Sequence, residues 1–373
     1  MNLAELPTPS LVLDVARVRR NAERVGARVR GMGATLRPHI KTHKCVEVAR
    51  LQTAGGAHAL TVSTLGEARW FAAHGFTDLT YAVPIEPGKF AAAIELAVAC
   101  ERLALLTDDP EIPAQLNAAA RQASVKLDLF MKVDCGYHRC GVEPETKEAF
   151  EIPRRIADAS HLRFAGILTH AGHSYHSRDA QELRRVARHE RDVMVELAAR
   201  LRRENIPVPV VSIGSTPTIS TIDHLEGIDE ARPGNYIFYD AFQATIGSCR
   251  FEDCALTVLA AVVHRDVSRG RVVIDAGAIA LSKDRGAVDY DAVCGYGRAL
   301  DREGNDLNLR VESLSQEHGM IRVDDDALLR RLKVGTRLRI LANHSCLTAA
   351  QHPHYNVWET GRVVDRWEIQ RGW

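Results

Sequence analysis

The sequence is poor in several features that mark other classes of protein. It has no excess charge of either sign: 48 Lys and Arg balance 48 Asp and Glu, for a formal net charge of zero. A nucleic-acid or anionic-membrane surface needs a basic surplus, so neither partner is expected. No run of about 18 apolar residues is present, the length that spans a bilayer as a helix. The opening Met1-Asn2-Leu3-Ala4-Glu5-Leu6-Pro7 has no basic flank followed by an apolar core, so no leader is expected and the expected location is cytoplasmic. The eight cysteines include no CxxC pair and are expected as buried thiols, Cys346 excepted. Low-complexity segments, charge blocks and short repeats are also lacking. No GxGxxG follows the first predicted strand, which weakens an open dinucleotide-binding sheet.

What is present is alternation. The 373 residues have room for two domains with large cores. Short β-branched runs alternate with amphipathic stretches from Gly33 to Tyr239. The runs are 34–39, 59–63, 78–83, 102–107, 126–134, 164–170, 208–214 and 235–239. Between them lie helical patterns such as 65–75, closed by a glycine, and the long 179–204. Strand–helix alternation implies a parallel sheet, and eight units close most naturally into a β/α (TIM-like) barrel. The barrel is expected over 15–243. From Ala255 the chain reads as consecutive strands (256–264, 271–274, 307–312, 338–340). A second, mainly β domain is therefore expected, built from 1–14 plus 244–373.

Barrel active sites lie at the C-terminal ends of the strands. The first run ends in Arg37-Pro38-His39-Ile40-Lys41-Thr42-His43-Lys44. Cationic neighbours depress a lysine's pKa, and a neutral amine can attack an aldehyde. A solvated basic loop is the plain alternative. The seventh run ends in Gly214-Ser215-Thr216-Pro217-Thr218, which suits a phosphate cradle as well as a simple helix cap. The eighth is entered through Arg232-Pro233-Gly234-Asn235-Tyr236, the fifth ends in Asp134-Cys135-Gly136-Tyr137-His138-Arg139, and the sixth in Thr169-His170-Ala171-Gly172-His173-Ser174-Tyr175. Five polar strand ends at one mouth carry more weight than any one alone.

Together, Arg37 to Lys44, Gly136 to Gly141, Thr169 to His173 and Arg232 to Tyr236 resemble the fold-type III pyridoxal-phosphate enzymes, in the branch of D-serine dehydratase and D-threonine aldolase, relatives of alanine racemase. The resemblance covers nearly the whole chain, in family order. It implies a barrel followed by a β domain, pyridoxal 5'-phosphate carried by Lys41, and a homodimer. Arg139 is then expected at the cofactor's phenolate oxygen. Gly214, Ser215 and Thr216 are expected at its phosphate. Tyr175 or Arg232 is expected at its pyridine nitrogen, with Gly234, Asn235 and Tyr236 in the same binding turn. His173 is a candidate second acid or base, and a packed histidine is the alternative.

A second signal lies in Asn343-His344-Ser345-Cys346-Leu347. On an extended segment, side chains two apart point the same way and can clasp one ion. Members of the resembled branch bind a divalent metal through a histidine and, two residues on, cysteine or aspartate. Cysteine here is similar to the zinc-dependent D-serine dehydratases, and thiolate favours zinc. His352 and His354 are expected in a loop. Asp275 to Gly277, Leu281 to Asp284 and Gln316 to Gly319 also resemble family segments. The expected function is a lyase that eliminates water from a D-β-hydroxy amino acid, D-serine first, giving a 2-oxo acid and ammonia. The alternatives are an aldolase of the D-threonine type, a D-threo-3-hydroxyaspartate dehydratase, an amino-acid racemase, and a non-catalytic cofactor carrier. The cationic cluster Arg37, His39, His43 and Lys44 is what keeps a dicarboxylic substrate open.

Overall fold

The computed structural model describes residues 2–55 and 59–373, so Met1 of the opening segment lies outside the described residues. The chain divides into two compact units, one of Met1–Ala22, Thr42–Leu51 and Asn235–Arg371, the other of Glu23–Lys41, Gln52–Gly234 and Gly372–Trp373.

The second of these holds an eight-stranded parallel sheet. Its strands in spatial order are Thr35–Leu36, Glu230–Ala231, Val211–Ile213, Leu162–Thr169, Leu127–Val133, Arg102–Thr107, Asp78–Tyr81 and Ala59–Val62. The two ends of this row meet: His39 bridges Thr61 in parallel, and the Thr61 amide donates to the Pro38 carbonyl at 2.9 Å. The TIM-like arrangement read from the alternation is therefore present. One strand is corrected. The eighth lies at Glu230–Ala231, whereas Asn235–Ile237 is a turn of 3-10 helix. The β-branched, aromatic run suggested a strand, but Pro233 lacks an amide for the ladder and ends it early.

The long helix Ala180–Arg203 begins where the Asp179 side chain accepts the Glu182 amide. It buries Leu183, Ala187, Glu190, Met194, Leu197 and Leu201, alternating steps of four and three that make one face of a helix. Five of those six residues are apolar; Glu190 is not. At Leu65–Ala73 the helix ends in His74 followed by Gly75, whose φ of +91° suits a left-handed terminus.

The other unit is mainly β. A nine-stranded sheet runs Arg271–Ile274, Gly319–Arg322, Asp306–Leu314, Gly297–Leu300, Arg337–Ala342, Leu256–Asp266, Ser10–Asp14, His354–Glu359 and Arg362–Glu368. Leu256–Asp266 also pairs back to Arg271–Ile274, closing six strands into an antiparallel barrel. Its residues Leu256 to Leu259 pair antiparallel with Ser10–Asp14. His354, expected in a loop, opens a strand instead.

One glycine in the eight-stranded sheet is dictated by close packing. Gly166 has φ +131° beside a register shift against Leu127–Val133, and a Cβ there would lie 2.0 Å from the Val210 carbonyl oxygen. Left-handed strain and overpacking add. Gly166→Ala is expected to lower unfolding free energy by about 3 kcal/mol. Urea denaturation checks this; an unchanged midpoint would contradict the packing described.

Candidate active site and metal pair

In the barrel unit, Lys41 lies in the 3-10 turn Ile40–Thr42 that follows the first strand. Its immediate surroundings are unusual. Burial first, and then the positive charge of Lys41, push the imidazoles of His39 and His170 well below their ordinary value. Arg232 bears on His39, and Lys132 and Arg139 bear on His170. These groups therefore converge at the strand ends. The His170 ring Nδ1 lies 3.0 Å from the Gly214 carbonyl oxygen, and the Ser174 and Ser215 hydroxyls are 3.0 Å apart, which ties the sixth strand end to the seventh.

Arg232 is buried and well satisfied. Its guanidinium donates to the Ser212 hydroxyl, to the Thr169 carbonyl and, at 3.2 Å, to the Ile213 carbonyl. Burial lowers its pKa to about 10, with Glu230 and Glu190 opposing, so it remains a cation at neutral pH. Arg139 is exposed, with its guanidinium 5.1 Å from the Tyr137 ring centre. The turn that presents it is wound around Asp134, whose carboxylate accepts the amides of Gly136, Tyr137 and His138. His173 is half-buried, its Nδ1 without a partner among the described residues and its ring 6.3 Å from that of Tyr137. Burial, then His189, lowers its pKa. Tyr175 sits in the 3-10 helix Gly172–His176.

Gly214 has φ +137°, and a Cβ there would meet the Arg232 amide nitrogen at 2.7 Å. Its own amide donates to Glu190, and Ser215 caps Thr216–Thr221 through a reciprocal contact with Thr218. The segment is thus both a helix cap and a close backbone approach. Neither Lys132 nor Arg139 has an ion-pair partner among the described residues. That cationic surplus fits the phosphate and phenolate of pyridoxal phosphate.

The supposed free cluster at the first strand end is corrected. Arg37 is buried between Glu230 and Asp78, with its Nη1 2.9 Å from Asp78 Oδ1, so its charge is already used. His39 is held neutral. His43 is fully buried, its Nδ1 accepting the Cys45 amide at 3.0 Å.

In the mainly β unit, His344 and Cys346 come together, though not on an extended segment. His344 precedes the short helix Ser345–Ala349 with extended φ and ψ, and Cys346 is its second residue. The strand ends at Ala342, and the helix turn brings the pair round. His344 Nδ1 lies 2.6 Å from Asp284 Oδ2. Burial works to lower the His344 pKa, but the Cys346 charge and the Asp284 carboxylate raise it well above its ordinary value. Burial works to raise the Cys346 pKa, but His344 and a 3.3 Å hydrogen bond to Thr42 Oγ1 bring it below the ordinary thiol range. A thiol drawn toward ionisation beside an imidazole that a carboxylate orients has the chemistry of a soft-metal ligand pair. No group of three His, Cys, Asp or Glu able to hold a metal occurs among the described residues. Asn235, expected with the cofactor turn, donates to Asp240 at 2.7 Å, to Ser345 Oγ at 3.0 Å and to Cys346 Sγ at 3.5 Å. Gly234 and Tyr236 flank it, both buried.

Four contributors escaped the reading of the sequence. Lys132 is buried in the strand Leu127–Val133, and its charge reaches His170. Glu190 occupies a core position of its helix, and that misfit was a usable signal. Asp240 and Asp284 lie far in sequence from the residues they hold.

A β/α barrel followed by a mainly β unit is the architecture of the fold-type III pyridoxal-phosphate enzymes. The family model described as "Alanine racemase, N-terminal domain" matches residues 13–241, and that described as "Putative serine dehydratase domain" matches 255–358. The chain belongs to this family and is a pyridoxal-phosphate-dependent lyase. It is 38% identical to D-threo-3-hydroxyaspartate dehydratase of Delftia sp. (strain HT23), over 100% of this chain and 99% of that one. It is 32% identical to D-serine dehydratase of Dictyostelium discoideum (100% and 98%) and 30% identical to D-threonine aldolase of Arthrobacter sp. (98% and 93%). A solved D-threo-3-hydroxyaspartate dehydratase with cysteine replaced by alanine, described as metal-free, superposes with TM-score 0.96 at 37% identity, covering 100% of both chains. A variant of it with histidine replaced by alanine, two positions earlier, gives 0.96 at 38%, covering 100% of this chain and 97% of that one.

Burial, then the charges of Arg232 and Arg139, push Lys132 down to about 8 from an ordinary 10.5. A base with a depressed folded pKa loses its proton first in the folded state, so stability rises with pH between those two values and is flat outside them. In the cofactor-free protein the rise is expected to be about 3 kcal/mol. Lys132→Met should flatten that window and raise stability at pH 7, as urea titrations at stepped pH would show.

Proposed function

We propose that this lyase removes water from a small D-β-hydroxy amino acid, giving a 2-oxo acid and ammonia. In this reading D-serine is the first substrate and D-threo-3-hydroxyaspartate the second, the latter on the likeness to the 38% identical relative and not on a free cation at the first strand end. The observation that carries the reading is the His344–Cys346 pair: an imidazole on a carboxylate beside a thiol drawn toward its ionised form. The same two residue types, at the same spacing, are those replaced in the solved variants of the hydroxyaspartate enzyme, one of which is metal-free.

Lys41 would carry pyridoxal 5'-phosphate, which when bound withdraws electrons and makes the substrate's α-proton acidic. The Lys41 Nζ would also be the base that takes that proton. Arg139 would hold the phenolate oxygen, and Gly214, Ser215 and Thr216 the phosphate, beside the Gly234-Asn235-Tyr236 turn. Arg232 or Tyr175 would face the pyridine nitrogen. An arginine there would keep that nitrogen unprotonated. His173 would be a candidate second acid or base. His344 and Cys346 would hold a divalent ion, zinc by the softness of the thiolate, whose Lewis acidity eases departure of hydroxide. We read the enzyme as a homodimer of the cytoplasm; among the described residues no helix is long and apolar enough to cross a membrane.

Lys41→Ala should abolish the visible absorbance of the lysine-bound cofactor; its persistence would refute the lysine assignment. Exhaustive chelation should remove activity and leave that absorbance in place, and full activity after chelation would refute the metal's role. Incubation with D-serine, D-threonine and D-threo-3-hydroxyaspartate should yield keto acid from the first and third. Glycine and an aldehyde instead would establish the aldolase.

A further inference from the structure

A buried carboxylate with no cation beside it is costly unless donors surround it. Asp240 is 1% exposed, and no Lys, Arg or His lies within ion-pairing distance among the described residues. Its oxygens divide between two tasks. Oδ1 accepts the Gln243 amide at 2.9 Å and caps the helix Ala241–Thr245. Oδ2 accepts the Ser345 amide at 2.9 Å, the Ser345 hydroxyl at 3.2 Å and the Asn235 side-chain amide at 2.7 Å.

Ser345 is the residue between His344 and Cys346. Its amide is the first of the helix Ser345–Ala349 and has no acceptor inside that helix. Asn235 extends the same clamp, reaching Ser345 Oγ and Cys346 Sγ. The His344 imidazole is held from the other side by Asp284. Two carboxylates thus divide the work. Asp284 orients one ring, and Asp240 fixes the backbone from which both ligands project.

We propose that Asp240 is the positioning residue of the metal pair: by gripping Ser345 through both its amide and its hydroxyl, it sets the spacing and direction of His344 and Cys346. This role rests on the reading that the pair binds a divalent metal. An amide at position 240 cannot replace the carboxylate. With its oxygen toward Gln243, its NH₂ faces the Ser345 and Asn235 donors; turned round, it loses the cap. Asn is nonetheless a good helix cap, so Asp240→Asn keeps the local fold.

The test uses the holoenzyme with pyridoxal phosphate bound, stripped of metal and titrated with Co²⁺. A thiolate-to-cobalt charge-transfer band reports ligation by Cys346. For Asp240→Asn the cobalt dissociation constant should rise about tenfold to a hundredfold, with the cofactor absorbance unchanged. Ser345→Ala keeps the amide contact and loses only the hydroxyl, so its constant should rise less, about threefold. Wild-type affinity and an unaltered band in both variants would overturn the proposal. So would parallel loss of the cofactor absorbance in Asp240→Asn, which would make the carboxylate a general structural element. A wild-type protein that gives no thiolate band fails in a different place: it refutes the metal reading itself, and with it any role for Asp240 in it.

Discussion

The barrel unit depends on a chain of buried polar groups that crosses it. Asp78 and Glu230 hold Arg37, Glu230 also accepts the Ser212 hydroxyl, and Ser212 accepts from Arg232, which in turn donates to the carbonyls of Thr169 and Ile213. Strands adjacent in the ring, some distant in sequence, are joined by this chain. Each charge is covered on several sides, so removal of one member strands the next without solvent. The network also explains why the strand ends stay in register with one another while carrying polar groups that a purely apolar core would not order.

Glu190 performs the same service for the loops. Its Oε1 accepts the amides of Ala171 and Gly214, at 3.0 and 3.2 Å, and so joins the ends of the sixth and seventh strands from within the long helix. Burial raises its pKa, since water no longer stabilises the charge. Beside this network lie Lys41, Lys132 and Arg139, whose charges bear on the His170 imidazole. That residue set favours an anion bearing an aldehyde over a neutral metabolite.

The mainly β unit solves a similar problem with carboxylates. His344 and Cys346 lie at a strand-to-helix junction, where backbone groups would otherwise be left unpaired. Asp284 and Asp240 meet those needs from separate loops, the one holding His344 and the other Ser345. Cys346 is drawn toward thiolate and His344 toward imidazolium.

Strand and helix periodicity carried most of the architecture, because seven of the eight expected runs overlap strands of the parallel sheet. Lys41 and the His-x-Cys pair were legible chiefly through the family resemblance, since the first strand end by itself also reads as a basic loop. The eighth strand was misplaced because Tyr236 to Tyr239 are as apolar and aromatic as a strand, and only the broken ladder after Pro233 shows otherwise. Arg37 looked free for a substrate carboxylate because its partners, Asp78 and Glu230, are 41 and 193 residues away. The sequence by itself determined the elements, their order and the chemistry on offer. The tertiary structure decided which charges are spent inside the protein and which are left for a ligand, since pairing depends on distances that only the closed sheets create.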